Sequence, residues 1–193
     1  MGRAPWYERG PYVVDKVMAD GICKDLLRYF RASPPRPRSY QGIVDLSKRH
    51  CDYVEVPSPE NVRIDEIVAN QVNELFNVRS QTLMNQPLLI YRYSKGVGFV
   101  THHDEVTDIE LDRSVHNGQP VLAGDITTVL FLNHPDEYVG GALCFEKPAL
   151  ELRPSRGTLV AFPATREFMH SVEPIEEGER YTLLGRRAVV GII

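Results

Sequence analysis

The sequence predicts a mostly β domain with flanking helices, and three observations carry that expectation. The second half of the chain is a succession of short runs rich in β-branched and aromatic residues, separated by Gly, Pro, Asn and Asp. Such runs read as strands, and with no helical pattern between them they argue for an antiparallel sandwich or barrel rather than a parallel βαβ sheet. The first half carries two amphipathic helical patterns, and helices of that kind lie with one face on a larger body. At 193 residues, 42% hydrophobic and 25% charged, the chain has the length of one domain and can bury a core without disulfides or a metal. No repeat divides it. Residues 1–193 are therefore expected to form one domain, with a helix-and-strand support over about 1–85 and a β core over about 86–193.

In chain order, Asp20 is placed to cap a helix beginning near Gly21, with Ile22, Leu26, Leu27 and Phe30 on one face. The run Ser33-Pro34-Pro35-Arg36-Pro37 ends it, because proline lacks the amide donor and fixes φ. A second helix is expected after Asn61. There Ile64, Ile67, Val68, Val72, Leu75 and Phe76 recur at helical spacing, and Arg63, Asp65, Glu66, Asn70, Asn73 and Glu74 fill the wet side. The expected strands are residues 88–94, 99–102, 126–132, 142–145, 150–153, 157–162, 168–172 and 180–190. The polar stretch 105–124 interrupts them; a connection that long in a compact domain commonly serves as a lid or binding loop.

Several classes drop out. The net charge of −4 argues against a general nucleic-acid binder, which presents a basic surface. Cys23, Cys51 and Cys144 are odd in number and widely spaced, with no Cys-x-x-Cys. That fits neither a disulfide framework nor a thiolate zinc site, and reduced thiols in a cytoplasmic protein are the expectation. The opening MGRAPWYERGPY has no apolar core with a cleavage site, and Gly2 lacks the downstream Ser/Thr of a myristoylation motif. The apolar run 188–193 is too short to cross a membrane.

The chemistry concentrates at His102-His103-Asp104. In a strand His102 and Asp104 point the same way, so an imidazole and a carboxylate can grip one metal ion. His170, far along the chain, is the best third ligand. Two His and one carboxylate with open positions form the facial triad of non-haem Fe(II) oxygenases. A turn over 173–179 is expected to bring the chain back, so that the Arg180 strand runs beside the His170 strand with the guanidinium inward. A buried arginine needs an anionic partner, and a dicarboxylate cosubstrate would supply one.

Taken together, the chain resembles the Fe(II)/2-oxoglutarate-dependent dioxygenases, and among them the prolyl 4-hydroxylase-like group. The resemblance rests on Tyr93-x-x-Gly96-x-x-Phe99-x-x-His102-x-Asp104, Phe131-Leu132-Asn133, Gly140-Gly141 before Ala142-Leu143-Cys144-Phe145, the run Gly157 to Phe162, and His170-x-x-x-Pro174-x-x-x-Gly178-x-Arg180. It extends from about Tyr12 to Val190. It implies a double-stranded β-helix (jelly roll, cupin-like) buttressed by N-terminal helices. It also implies Fe(II) on His102, Asp104 and His170, the distal carboxylate of 2-oxoglutarate on Arg180, and a cosubstrate hydrogen bond from Tyr93. The implied reaction uses O2, with ascorbate as a supporting reductant, and hydroxylates a C–H bond with release of succinate and CO2. An acid at position 104 completes the triad and favours oxygenation over halogenation.

Three departures from the family pattern matter. Phe131 stands where many members carry a tyrosine that helps hold the distal carboxylate, so Thr128, Thr182 or Tyr91 is expected to compensate. No arginine precedes the strand threonine in Leu122 to Thr127. Gly185-Arg186-Arg187 replaces an aromatic after Arg180. Arg180, Thr182, Leu184 and Arg186 alternate onto one face, so Arg186 is also expected to look inward. Its spacing from Arg180 is that of the AlkB-type nucleic-acid demethylases, but the glycine pair and the interval from His170 to Arg180 fit the hydroxylases better.

Other candidates read more plainly. His103 is expected to face away, His116 and His134 to be solvated, and Arg153, Arg156 and Arg166 to form a solvated basic set. Arg49 and His50 follow residues 42–47, a segment expected as a strand near the pocket mouth, where the pair would be placed to contact substrate. The substrate expected is a small molecule such as an amino acid, or a peptidyl proline, with no strong nucleic-acid signal and no membrane. The alternatives are an AlkB-like N-demethylase and a non-catalytic jelly-roll sensor.

Overall fold

The computed structural model describes residues 5–37, 51–82, 88–105 and 124–193. Two helices, α1 (Asp20–Ala32) and α2 (Glu60–Phe76), accompany fourteen strands among the described residues. The early strands are β1 (Tyr12–Val14), β2 (Arg36–Pro37), β3 (Asp52–Glu55), β4 (Val78–Thr82), β5 (Leu89–Tyr93) and β6 (Phe99–His102). The middle ones are β7 (Ile126–Phe131), β8 (Tyr138–Gly140), β9 (Leu143–Phe145) and β10 (Leu150–Leu152). The last are β11 (Leu159–Pro163), β12 (His170–Val172), β13 (Ile175–Gly178) and the long β14 (Arg180–Ile192).

The large sheet runs β1-β11-β7-β14-β5-β3-β2, with β4 beside the far half of β14; the small sheet runs β10-β9-β12-β6, and β13 pairs with β8. These two facing antiparallel layers form the double-stranded β-helix. Strand alternation sorts the core into two clusters. Ile126 and Leu130 of β7, Leu159 and Ala161 of β11, and Tyr181 and Leu183 of β14 meet the helices through Leu26, Leu27, Phe30, Ile64, Val68, Val72 and Phe76. Their neighbours Val129, Phe131, Val160 and Phe162 face the small sheet, where they meet Phe99, Leu143, Phe145 and Val172. With both faces covered, the central strands are apolar nearly without a break, and all six residues of β7 are buried.

Local chemistry accounts for most element ends. Prolines 34 and 35 follow α1 as expected. Asn77, in the left-handed region at φ 57°, terminates α2, a conformation that asparagine tolerates better than most residues. Gly140 and Gly141 have φ of +75° and +66°. A Cβ on Gly140 would meet the Pro174 carbonyl at 2.4 Å, so β8 and the segment before β13 approach closely only because these positions are bare.

Several expectations need correction. Asp20 does not cap α1 from outside. It is the first helical residue, Ala19 stands at the cap, and the Asp20 carboxylate pairs with Lys24 at 2.6 Å and Arg156 at 2.9 Å. Helix α2 starts at Glu60, before Asn61. Strands β1, β3, β4 and β8 were not expected. The largest difference concerns residues 173–179. They are not a simple turn: Ile175–Gly178 is a strand paired with β8. Strand β12 pairs with β6 and β9, while β14 pairs with β5, β7 and β4. The Arg180 strand therefore lies in the opposite sheet from His170 and does not run beside it. The extra strand carries the chain across the sandwich. Residues 42–47, Arg49, His50, His116 and 106–123 of the expected lid lie outside the described residues. No described helix is long and apolar enough to cross a membrane.

Candidate active site

The two histidines of the sequence triad are brought together by strand register. His102 and His170 are direct partners across β6 and β12, and their ring centroids are 4.3 Å apart. Each imidazole is anchored from behind. His102 Nδ1 lies 2.8 Å from the Val100 carbonyl and His170 Nδ1 lies 3.0 Å from the Phe168 carbonyl. A carbonyl only accepts, so each Nδ1 carries the proton and each Nε2 presents its lone pair. Both Nε2 atoms face Asp104, at 3.8 Å from Oδ1 for His102 and 3.8 Å from Oδ2 for His170. The three ligand atoms lie within 4.8 Å of one another, which fits a single metal ion.

Asp104 stays ionised. Burial alone would raise its proton affinity, but Arg186, His170, His102 and the Thr127 hydroxyl outweigh that and hold the carboxyl well below the usual carboxylate range. Thr127 donates to Asp104 Oδ2 at 2.7 Å, and Arg186 Nη1 lies 3.5 Å from Oδ1.

The cavity beside the triad is lined by Tyr91, Tyr93, Thr182 and Arg180, with Phe99, Leu143 and Val172 supplying apolar walls. Arg180 is 1% exposed. Its guanidinium carbon lies 4.9 Å from the centre of the Phe131 ring and 5.3 Å from that of Tyr93. Its Nε and Nη1 are buried with no hydrogen-bond partner among the described residues. Cation–π contact contributes about 0.5–2 kcal/mol, less than the several kcal/mol that desolvating a cation costs. The deficit shows as a lowered proton affinity at Arg180, caused by burial. A dicarboxylate end fits this site, because it would satisfy the open donors and the charge together.

Most of the sequence-derived site residues therefore converge: His102, Asp104, His170, Tyr91, Tyr93, Arg180 and Thr182 line one cavity, and Arg186 reaches Asp104 as its parity predicted. Thr128 does not converge. It faces the helix side of β7 and donates to the Gly185 carbonyl at 3.2 Å; its neighbour Thr127 is the inward threonine. Phe131, unable to donate, packs its ring on Arg180 instead. Sequence reasoning missed Thr127, for which inward parity with Val129 and Phe131 was the available signal. It also missed Tyr138, whose buried hydroxyl lies beside Arg180; burial raises its proton affinity against the pull of that guanidinium. Arg153 and Arg166 are exposed, as expected of a solvated set, with Arg166 beside Glu105, whereas Arg156 is partly buried and pairs with Asp20 and Glu137.

Residues 88–185, about half of the chain, match the family described as the 2OG-Fe(II) oxygenase superfamily. The chain belongs to that superfamily. The match runs from Leu88, just before β5, into β14, so it takes in the triad, Tyr93 and Arg180. A PKHD-type hydroxylase of Gluconacetobacter diazotrophicus is 33% identical over 110 residues, covering 56% of this chain and 45% of that protein. One of Crocosphaera subtropica is 30% identical over 132 residues, covering 66% and 55%. The chain spans about half the length of the curated relatives it matches. Among solved structures, a viral collagen prolyl hydroxylase of Paramecium Bursaria Chlorella virus-1 superposes with a TM-score of 0.69 at 16% identity, covering 95% of this chain and 99% of that one. A prolyl-4-hydroxylase of Pseudomonas putida gives 0.67 at 17%, covering 91% and 90%. These neighbours share the prolyl 4-hydroxylase-like fold.

Proposed function

We propose that the protein is an Fe(II)- and 2-oxoglutarate-dependent hydroxylase acting on a C–H bond of an amino acid, a related small metabolite or a peptidyl proline. The observation that carries this reading is the meeting, in one cavity, of three convergent metal donors and a fully buried arginine with open donor positions. His102, Asp104 and His170 hold the iron. Arg180 takes the distal carboxylate of 2-oxoglutarate, and Tyr93, Tyr91 and Thr182 offer hydroxyls along the cosubstrate. Bound there, iron with 2-oxoglutarate and O2 supplies the oxidation of an unactivated C–H bond, with succinate and CO2 as co-products.

The chain's own part is geometric and electrostatic. The Nδ1–carbonyl contacts fix both imidazoles, so little reorganisation accompanies metal binding. Arg180 orients the cosubstrate along the cavity axis. Phe99, Leu143 and Val172 keep water from the reacting end, which strengthens every charge interaction inside. Ascorbate is expected to support turnover, and the thiols of Cys23, Cys51 and Cys144, none in a disulfide, suit a reducing cytoplasm.

The hydroxylase names of the curated relatives and the prolyl hydroxylase neighbours support oxidation at carbon. One neighbour, from Trichoplax adhaerens, is described in complex with a hypoxia inducible factor peptide fragment. The test is succinate release over free amino acids, Pro-containing peptides and methylated oligonucleotides. His102→Ala and Asp104→Ala are expected to abolish iron-dependent succinate formation while circular dichroism stays native. Full activity in either variant would remove the triad.

A further inference from the structure

We propose that Arg186 is a positioning residue: it orients the Asp104 carboxylate as a metal ligand, acting opposite Thr127. The inference rests on the metal-centre reading above and deepens it. The two histidine ligands need no such help, since the β6–β12 register and a carbonyl behind each ring already fix them. Asp104 is placed differently. It lies beyond the end of β6, in residues 103–105 that belong to no strand or helix, so no backbone ladder sets its direction.

Side chains from the opposite sheet do so. Arg186 and Thr127 are direct partners across β14 and β7, and both face Asp104. Thr127 takes one carboxylate oxygen, donating to Oδ2 at 2.7 Å. Arg186 faces the other, with Nη1 3.5 Å from Oδ1, and its Nη2 donates to the Asp104 backbone carbonyl. The guanidinium thus holds the residue at two points, side chain and main chain. Nη2 also lies 3.4 Å from the Gly124 carbonyl. Gly124 leaves the room: a Cβ there would stand 2.7 Å from Arg186 Nε and 3.2 Å from Nη2. Arg180, on the same strand face, meets no carboxylate among the described residues, so the two arginines divide the cavity into an anchored end and an open end.

The sign of one measurement separates positioning from mere proximity. A cation beside a divalent ion repels it, so if Arg186 only stands nearby, removing its charge tightens metal binding. If it aims Asp104, removing it loosens binding, by ten- to a hundredfold for a partner of this kind. The experiment titrates chelator-stripped protein with Co(II), following the ligand-field absorption of the bound ion. Arg186→Gln is expected to raise the Co(II) Kd ten- to a hundredfold and to alter the absorption band. Gly124→Ala keeps the charge but displaces the guanidinium, and is expected to shift both readouts in the same direction; it decides the matter if Arg186→Gln does not fold. His102→Ala is the control. If it binds Co(II) like the parent protein, the metal centre itself is misassigned. If it abolishes binding while Arg186→Gln and Gly124→Ala bind as tightly as the parent or more tightly, the centre stands and the positioning role falls.

Discussion

Arg180 and Arg187 lie on the same strand, β14, and are buried alike, at 1% and 2% exposure. They face opposite sides of the large sheet. On the helix side, every nitrogen of Arg187 is engaged: Nε donates to Ser80 Oγ at 2.9 Å, Nη1 to Thr82 Oγ1 at 3.1 Å and to Asp65, and Nη2 lies 3.4 Å from the Ser80 carbonyl. On the barrel side, Arg180 lies among aromatic rings with two nitrogens open. Equal burial with unequal satisfaction separates the two roles. Arg187 ties α2 and β4 to β14. Arg180 keeps an uncompensated charge in the core, and a fold retains such a charge at a cost unless a ligand completes it.

The comparison is broken or sharpened most strongly at Arg180. Arg180→Ala is expected to weaken 2-oxoglutarate binding by about 3 kcal/mol, roughly a hundredfold in Kd, because it removes one partner of a buried charge pair. Calorimetry on metal-loaded protein would show it, and an unchanged Kd would place the carboxylate elsewhere. Stability should respond in opposite senses at the two arginines. Arg187→Met leaves Asp65 uncompensated. The expected loss is about 2 kcal/mol, below the usual range for a buried pair because the Asp65 side chain is 23% exposed. Arg180→Met in the ligand-free protein is expected to raise stability by about 1 kcal/mol, since it replaces an unpaired buried charge with an apolar chain of similar length. Urea midpoints for the two variants decide this, and a loss at both would erase the distinction.

The smallest effect is expected where charges meet water. Lys24 and then Arg156 hold the Asp20 carboxyl at about 2, below its usual 3.8. A depressed folded-state value stabilises above the unfolded value and is lost as pH falls through the folded one. Asp20→Asn should therefore lower the melting temperature slightly at pH 6, with a deficit that shrinks as pH falls from about 4 through about 2. A deficit that persists in acid would point to a role other than charge.

The metal end was far more legible in the sequence than the cosubstrate end. His102 and His170 sit in short strands whose β-branched and aromatic content is plain, and the triad needs only that both point inward. Parity also placed Arg180, Thr182 and Arg186 on one face before any sheet was known. On β7 the same parity puts Thr127, Val129 and Phe131 inward and Thr128 outward. The short strands β1, β3 and β8 were missed because three or four residues carry too little periodicity to stand out. Residues 173–179 hold acidic residues, Pro174 and Gly178, which suit a turn, yet Ile175 is a buried apolar anchor where β13 pairs with β8. The start of α1 differed because Asp20 finds Lys24 and Arg156, and an acid with two cations has no need to cap an amide.

By itself the sequence determined what depends on neighbours along the chain: strand and helix content, the face of each side chain, the glycine pair, and the donor types that make a His/Asp/His centre. Tertiary structure alone decided what depends on which strands become neighbours. It set His102 directly against His170, brought Arg180 from the opposite sheet, gave Asp65 to Arg187 and, among the described residues, no carboxylate to Arg180. The physical reason is that alternation has a period of two and reports only which side a residue faces. Partnership is a property of pairing between distant segments, and in this molecule partnership distinguishes a structural arginine from a binding one.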